Sequence, residues 1–208
     1  MLKTFQTRVK ICGITRLQDA EAAVAFGADA VGFIFAHSPR RISVKAARAI
    51  SRRLGPFVAR VGVFVNAPTR EIVSIMEEAA LDVVQLHGTE APAACSELSK
   101  YRLIKVFRVG PQFSPAELKR YPTQAHMLET AAHVPGGSGK TWDWSRLART
   151  RFRTPIIVTG GLDPANVQQA IRTLRPYAVD VSSGVETKPG VKDHKLMEKF
   201  IRHAKNIR

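Results

Sequence analysis

"PIIVTGGLDPANVQQAIRTLRPYAVDVSSG" occupies residues 155–184. Its ends are short β-branched runs, "PIIVTG" (155–160) and "AVDVSSG" (178–184), each closed by turn residues. Each reads as a buried strand. Between them, "DPANVQQAIRTLRP" offers Asp163 as a helix cap and Pro164 at the first helical position. Strand, helix and strand in this order form the unit of a parallel sheet.

Working outward, the same unit recurs along the chain. Further strand-like runs are "RVKICGI" (8–14), "AVGFIFA" (30–36), "RVGVFV" (60–65), "DVVQLH" (82–87), "RLIKVFRV" (102–109) and "AHMLET" (125–130). Helical stretches lie between them. "LQDAEAAVAFGAD" carries Asp19 in its first turn, where a negative charge suits the helix dipole. "SVKAARAISRRLG" opens on Ser43 as cap, "TREIVSIMEEAAL" on Thr69, and "TEAPAACSELSKY" on Thr89. "SPAELKRYP" is short, and "KDHKLMEKFIRHAKNIR" ends the chain. Strand then helix, eight times, predicts an α/β fold, a compact (β/α)8 TIM barrel filling residues 1–208 as one domain. A doubly wound open sheet is the rival, but no G-x-G-x-x-G follows a strand.

Composition narrows the class. The 208 residues are 45% hydrophobic, as expected of a globular protein, with no apolar run long enough to span a bilayer. The N-terminal stretch lacks a signal-peptide core, which predicts a cytoplasmic protein with no membrane partner. Cys12 and Cys95 fit neither a metal spacing nor a disulfide framework and are expected as free thiols. The net charge of +15 points to anionic partners, either nucleic acid or small phosphorylated or carboxylated molecules. The cations are spread along the chain without aromatic–basic interleaving, so the expectation is a solvated basic surface and no nucleic-acid partner.

"GSGKT" (137–141) imitates a nucleotide P-loop, but the first glycine of that pattern would fall on Val134. The segment neither follows a strand directly nor opens a long helix, so a phosphate cradle for a nucleotide is rejected.

In a barrel of this kind the chemistry sits at the C-terminal ends of the strands. That rule selects Lys10, Cys12 and Gly13 after the first strand, then Arg40 and Arg41 after the second. It adds Gln85 and His87 on the fourth, and Glu129 and Thr130 on the sixth. Gly160 and Gly161 follow the seventh; Asp180, Ser182, Ser183 and Gly184 belong to the eighth. Glycines and hydroxyls after the last two strands suit an anion held by backbone N–H groups. Cys12 with the nearby Lys10 reads either as packing or as a thiolate base. Glu129 is a carboxylate at the end of an apolar strand, costly unless paired or used, and with a thiolate it supplies an acid and a base. His87 fits either part or simply bonds within the barrel, and Arg41 suits a carboxylate or stands as a surface arginine beside Arg40.

"VKICGIT", "GADAVGFIF", "VGVFVN", "VQLHG", "GGSGKTWDW", "GGLDPANV" and "VDVSSGVE…PGVKDHKL" together resemble the phosphoribosylanthranilate isomerase family of tryptophan biosynthesis. The resemblance runs from about Val9 to the C-terminus in the family's order. It implies an Amadori rearrangement of N-(5-phosphoribosyl)anthranilate to the carboxyphenylamino-deoxyribulose phosphate, with no cofactor and no metal. Cys12 matches the general base that takes the C2 proton. The family's general acid is an aspartate, usually in "LDT"; here the stretch is "LET", which puts Glu129 at that position. Arg41 matches the arginine for the anthranilate carboxylate, Asp180 matches a strand 8 aspartate near the substrate's amino group, and Gly160, Gly161, Ser183 and Gly184 fall in the phosphate loops; His87 is taken as a substrate-binding candidate. "GGSGKTWDW" matches the loop after the sixth strand that borders the active site. The resemblance leaves monomer or homodimer open. The related isomerase of histidine biosynthesis uses an aspartate base, which the cysteine argues against. The alternative reading is a non-catalytic or altered phosphosugar-binding barrel, because Glu129 replaces the usual aspartate.

Overall fold

The β-branched runs pair side by side until the last meets the first. A computed structural model describes residues 6–130 and 143–206. Its strands are β1 (Arg8–Cys12), β2 (Ala30–Ile34), β3 (Ala59–Phe64), β4 (Val83–Leu86), β5 (Arg102–Val109), β6 (Ala125–Thr130), β7 (Ile156–Val158) and β8 (Ala178–Val181). All eight are parallel and follow sequence order around a closed barrel. β8 returns to β1 with Lys10 opposite Asp180. The expected β5 and β6 match the observed bounds; β1, β7 and β8 stop short because the residues after them turn away as loops.

The helices are α1 (Leu17–Ala25), α2 (Val44–Ser51), α3 (Thr69–Glu78), α4 (Pro92–Glu97), α5 (Val167–Leu174) and α6 (His194–Lys205). Among the described residues, 3-10 segments stand in place of α-helices after β5, at Pro115–Arg120, and after β6, at Trp144–Leu147. Pro115 and Pro122 bracket the first and leave no room for a longer α-helix. Ser43 caps α2 as read, its Oγ accepting from Ala46 N at 3.2 Å. Thr69 does not cap α3; Pro68 precedes it and Thr69 is already helical. Asp163 accepts from the N–H groups of Ala165 and Asn166, closing a turn that holds Pro164 ahead of α5. β9 (Glu186–Lys188) and β10 (Val191–Lys192) form a small antiparallel hairpin beyond β8.

Alternation along each strand builds two cores. Val61, Ile104, Val106, Met127 and Ile157 fill the barrel interior. Val9, Ile11, Leu103, Phe107 and Leu128 point outward beneath the helices. Residues continuing the inward set past the top of the interior core therefore reach the barrel mouth. Among the described residues no helix is long and apolar enough to cross a membrane.

Candidate active site

Lys10 and Cys12 continue the inward face of β1. Lys10 is buried and its Nζ donates to Asp180 Oδ1 on β8 at 2.7 Å. Thr159 donates to the other carboxylate oxygen at 3.0 Å, so both oxygens of buried Asp180 are used. Gly32, level with Cys12 on β2, leaves space for this cluster: a Cβ there would sit 2.9 Å from Cys12 Sγ and 3.1 Å from Lys10 Nζ. Burial works against the Lys10 charge, but Asp180 and Cys12 outweigh it and leave its pKa raised. The Cys12 thiol was expected to ionise more easily beside Lys10. Burial instead pushes it above the ordinary thiol value; Lys10 and Lys192 pull it back only in part, and Asp180 adds to the rise.

On the other side of the mouth, His87 Nε2 lies 3.0 Å from Glu129 Oε2. The Gln85 amide Nε2 donates to His87 Nδ1 at 3.1 Å. With the amide nitrogen facing Nδ1, Nε2 is the ring nitrogen turned toward Glu129. Gln85, His87 and Glu129 thus form one row across β4 and β6. A buried pair supports it: Lys105 Nζ reaches Glu90 at 2.9 Å and Gly88 O at 2.7 Å. Glu90 also accepts from Asn66 N and Gly88 N, which fixes the turn just after His87. Burial opposes the Glu90 charge, but these donors hold its carboxyl below the ordinary range.

Gly160 and Gly161 are consecutive residues at φ +87° and +68°, the left-handed region that favours glycine. Ser183 opens a 3-10 turn after β8, and a Cβ on Gly184 would collide with the Leu162 carbonyl. The two loops therefore touch at Gly184, bringing their backbones together at one edge of the mouth. Arg41 is exposed at the end of the β2 loop and forms an isolated bridge with Ile34. Its neighbour Arg40 is buried, and its Nε and Nη2 donate to Glu186. Lys192 reaches the same carboxylate at 2.8 Å. Arg40, Glu186 and Lys192 escaped the sequence reading as a group, because their meeting depends on the β9–β10 hairpin folding back over the β2 loop. Cys95 is buried under the helices, as expected of a structural thiol. Residues 131–142, with the "GSGKT" stretch, lie outside the described residues.

The arrangement places a thiol on β1 and a carboxyl on β6, three steps apart around the closed ring, with loops suited to an anion between them. Among the described residues no group of three His, Cys, Asp or Glu could hold a metal ion. The family model of N-(5'phosphoribosyl)anthranilate (PRA) isomerase matches residues 9–203. The chain belongs to this family. It is 49% identical over 202 residues to the N-(5'-phosphoribosyl)anthranilate isomerase of Pseudomonas putida (strain W619), covering 95% of this chain and 97% of the relative. The fold superposes on the crystal structure of phosphoribosyl anthranilate isomerase from Thermotoga maritima with a TM-score of 0.88, at 45% identity over 97% of this chain and 100% of that one. A further isomerase structure, in complex with reduced 1-(o-carboxyphenylamino)-1-deoxyribulose 5-phosphate, has a TM-score of 0.83 at 42% identity, with 97% and 100% covered. The (β/α)8 barrel is thereby the fold of this family.

Proposed function

We propose that this chain catalyses the Amadori rearrangement of N-(5-phosphoribosyl)anthranilate to 1-(2-carboxyphenylamino)-1-deoxyribulose 5-phosphate in tryptophan biosynthesis. The observation that carries the reading is the pairing of Cys12 and Glu129 across one mouth, in a chain of this family. Glu129 acts as general acid: it gives its proton to the ring oxygen, the furanose opens and an iminium forms at C1. Cys12, ionised with the help of Lys10 and Lys192 against the cost of burial, then takes the proton from C2, giving the enolamine that tautomerises to the ketose. His87 holds the Glu129 carboxyl at the mouth, and Asp180 holds Lys10 beside the thiol. Arg41 binds the anthranilate carboxylate. Gly160, Gly161, Ser183 and Gly184 bind the phosphate through backbone N–H groups and the Ser183 hydroxyl.

No cofactor or metal takes part in this scheme. The whole chain acts as one barrel domain in the cytoplasm, as a monomer or homodimer, on a small phosphorylated substrate and not on nucleic acid. The substitution of glutamate for aspartate is compatible with the scheme because the longer arm is tied back by His87 at 3.0 Å. The test is direct. The substrate is generated in solution and its fluorescence followed after adding the protein, with chelator present. Rapid loss of fluorescence with formation of the ketose supports the assignment; a folded protein that leaves the signal unchanged overturns it in favour of a binding-only barrel.

A further inference from the structure

The ring of strands divides between the two ends of this substrate. Glu129 acts at the ring oxygen from β6, Cys12 at C2 from β1, and the phosphate loops follow β7 and β8. Ribose and phosphate thus take the arc β6–β7–β8–β1, which leaves the arc β2–β5 for the aromatic ring. That ring brings a carboxylate, and a carboxylate drawn out of water needs charge-assisted donors.

Arg108 lies on that arc. Along β5, Leu103, Phe107 and Val109 belong to the outer layer, whereas Ile104 and Val106 fill the barrel interior. Arg108 continues the interior set and stands level with Glu129 on β6. It is exposed although Phe107 and Val109 on either side are buried. Among the described residues its side chain makes no hydrogen bond or ion pair, even though a carboxylate is its register neighbour. Glu129 turns to His87 instead. Arg40 and Lys105 at this end of the barrel are committed, to Glu186 and to Glu90. A guanidinium at the mouth with no partner among the described residues is a fork for a planar oxyanion.

We infer that Arg108 binds the carboxylate of the substrate's anthranilate ring, from the β5 side of the mouth, in addition to Arg41. The inference rests on the isomerase reading. It makes Arg108 a determinant of specificity for carboxylated aromatic rings, and it gives no role to Arg108 at the phosphate, whose loops lie beyond β6.

The test is a binding cycle. The reduced product analogue and its counterpart lacking the ring carboxylate are titrated by calorimetry into wild type, Arg108→Ala and Arg108→Lys. Arg108→Ala is expected to weaken the carboxylated analogue about tenfold to a hundredfold, the range for losing a hydrogen-bonded charge. Binding of the analogue without carboxylate is expected to stay unchanged, and Arg108→Lys to fall between, since it keeps the charge and loses the fork. Equal weakening of both analogues would overturn the inference, because Arg108 would then serve the phosphate or the shape of the site. No weakening of either would also overturn it and leave the carboxylate to Arg41. Failure of the wild type to bind the carboxylated analogue would instead refute the isomerase reading itself. Because Arg108 is exposed, the alanine variant is expected to melt close to wild type, which separates lost contact from lost fold.

Discussion

Adding one methyl group at Gly32 puts the Cys12 geometry to a strict test. Gly32 and Cys12 are register partners on adjacent strands. A Cβ on Gly32 would stand 2.9 Å from Cys12 Sγ and 3.0 Å from Lys10 Cε. Carbon contacts are comfortable only near about 3.5–4.0 Å, so the thiol must retreat by roughly 0.5–1 Å. Lys10 gives little room, because its Nζ is fixed to Asp180 at 2.7 Å and the pair is buried. A reacting group misplaced by about 1 Å costs on the order of a hundredfold in rate. Overpacking of one methyl costs about 1–3 kcal/mol of stability, a drop of several degrees in melting temperature for a chain of this size. Gly32→Ala is therefore expected to remain folded, melt a few degrees lower, and lose about a hundredfold in kcat. Steady-state turnover and a thermal melt on the same preparation measure both. A variant with near-wild-type kcat and a lowered melting temperature would refute the claim that the thiol works from the position seen here.

Other perturbations follow from the same contacts. Lys105→Met should destabilise the protein by about 3–5 kcal/mol in urea unfolding, since it strands the buried Glu90 carboxylate without its cation. Lowering pH should destabilise the fold through Asp19, Asp29, Glu90 and Glu186, whose carboxyls are all held below their ordinary values by hydrogen-bond donors and cations despite burial. A lowered folded-state pKa gives stability that is fully present above the unfolded value and lost as pH falls through the folded one. The urea midpoint should therefore hold above about pH 5 and decline steadily below it, and Glu186→Gln should flatten that decline. Alkylation of Cys12 by a small iodoacetamide should be slow at neutral pH, its midpoint lying above that of a free thiol because burial outweighs Lys10. Lys10→Met should slow it further.

Much of this was legible in the chain. The eight β-branched runs, one after another, define the barrel because each strand can only be buried on both faces if helices cover one side and the closed ring the other. Cys12, Asp180, Glu129 and His87 could be chosen from their places at strand ends alone. Their partners were harder to read. The Gln85–His87–Glu129 row is set by register between strands 42 residues apart, and no local spacing encodes it. Lys10 was read as a cation for the thiol, but its firmer partner is Asp180 on the strand that closes the ring, 170 residues away. The effect of burial on Cys12 was invisible for the same reason: spacing shows which charges lie near, and only the fold shows how much water is excluded. The 3-10 segments after β5 and β6 and the late start of α5 reflect proline and Asx turns overriding an otherwise helical pattern.

The central claim, that Cys12 and Glu129 are base and acid across one mouth, is tested most directly by separating turnover from binding. Cys12→Ala and Glu129→Ala are compared with wild type for conversion of phosphoribosylanthranilate and for affinity toward the reduced product analogue. The account predicts that each substitution lowers kcat by at least about a hundredfold, the range for losing a general acid or base, while the analogue still binds within a few-fold of wild type. Substantial turnover in either variant would contradict the assignment of that residue to the chemistry.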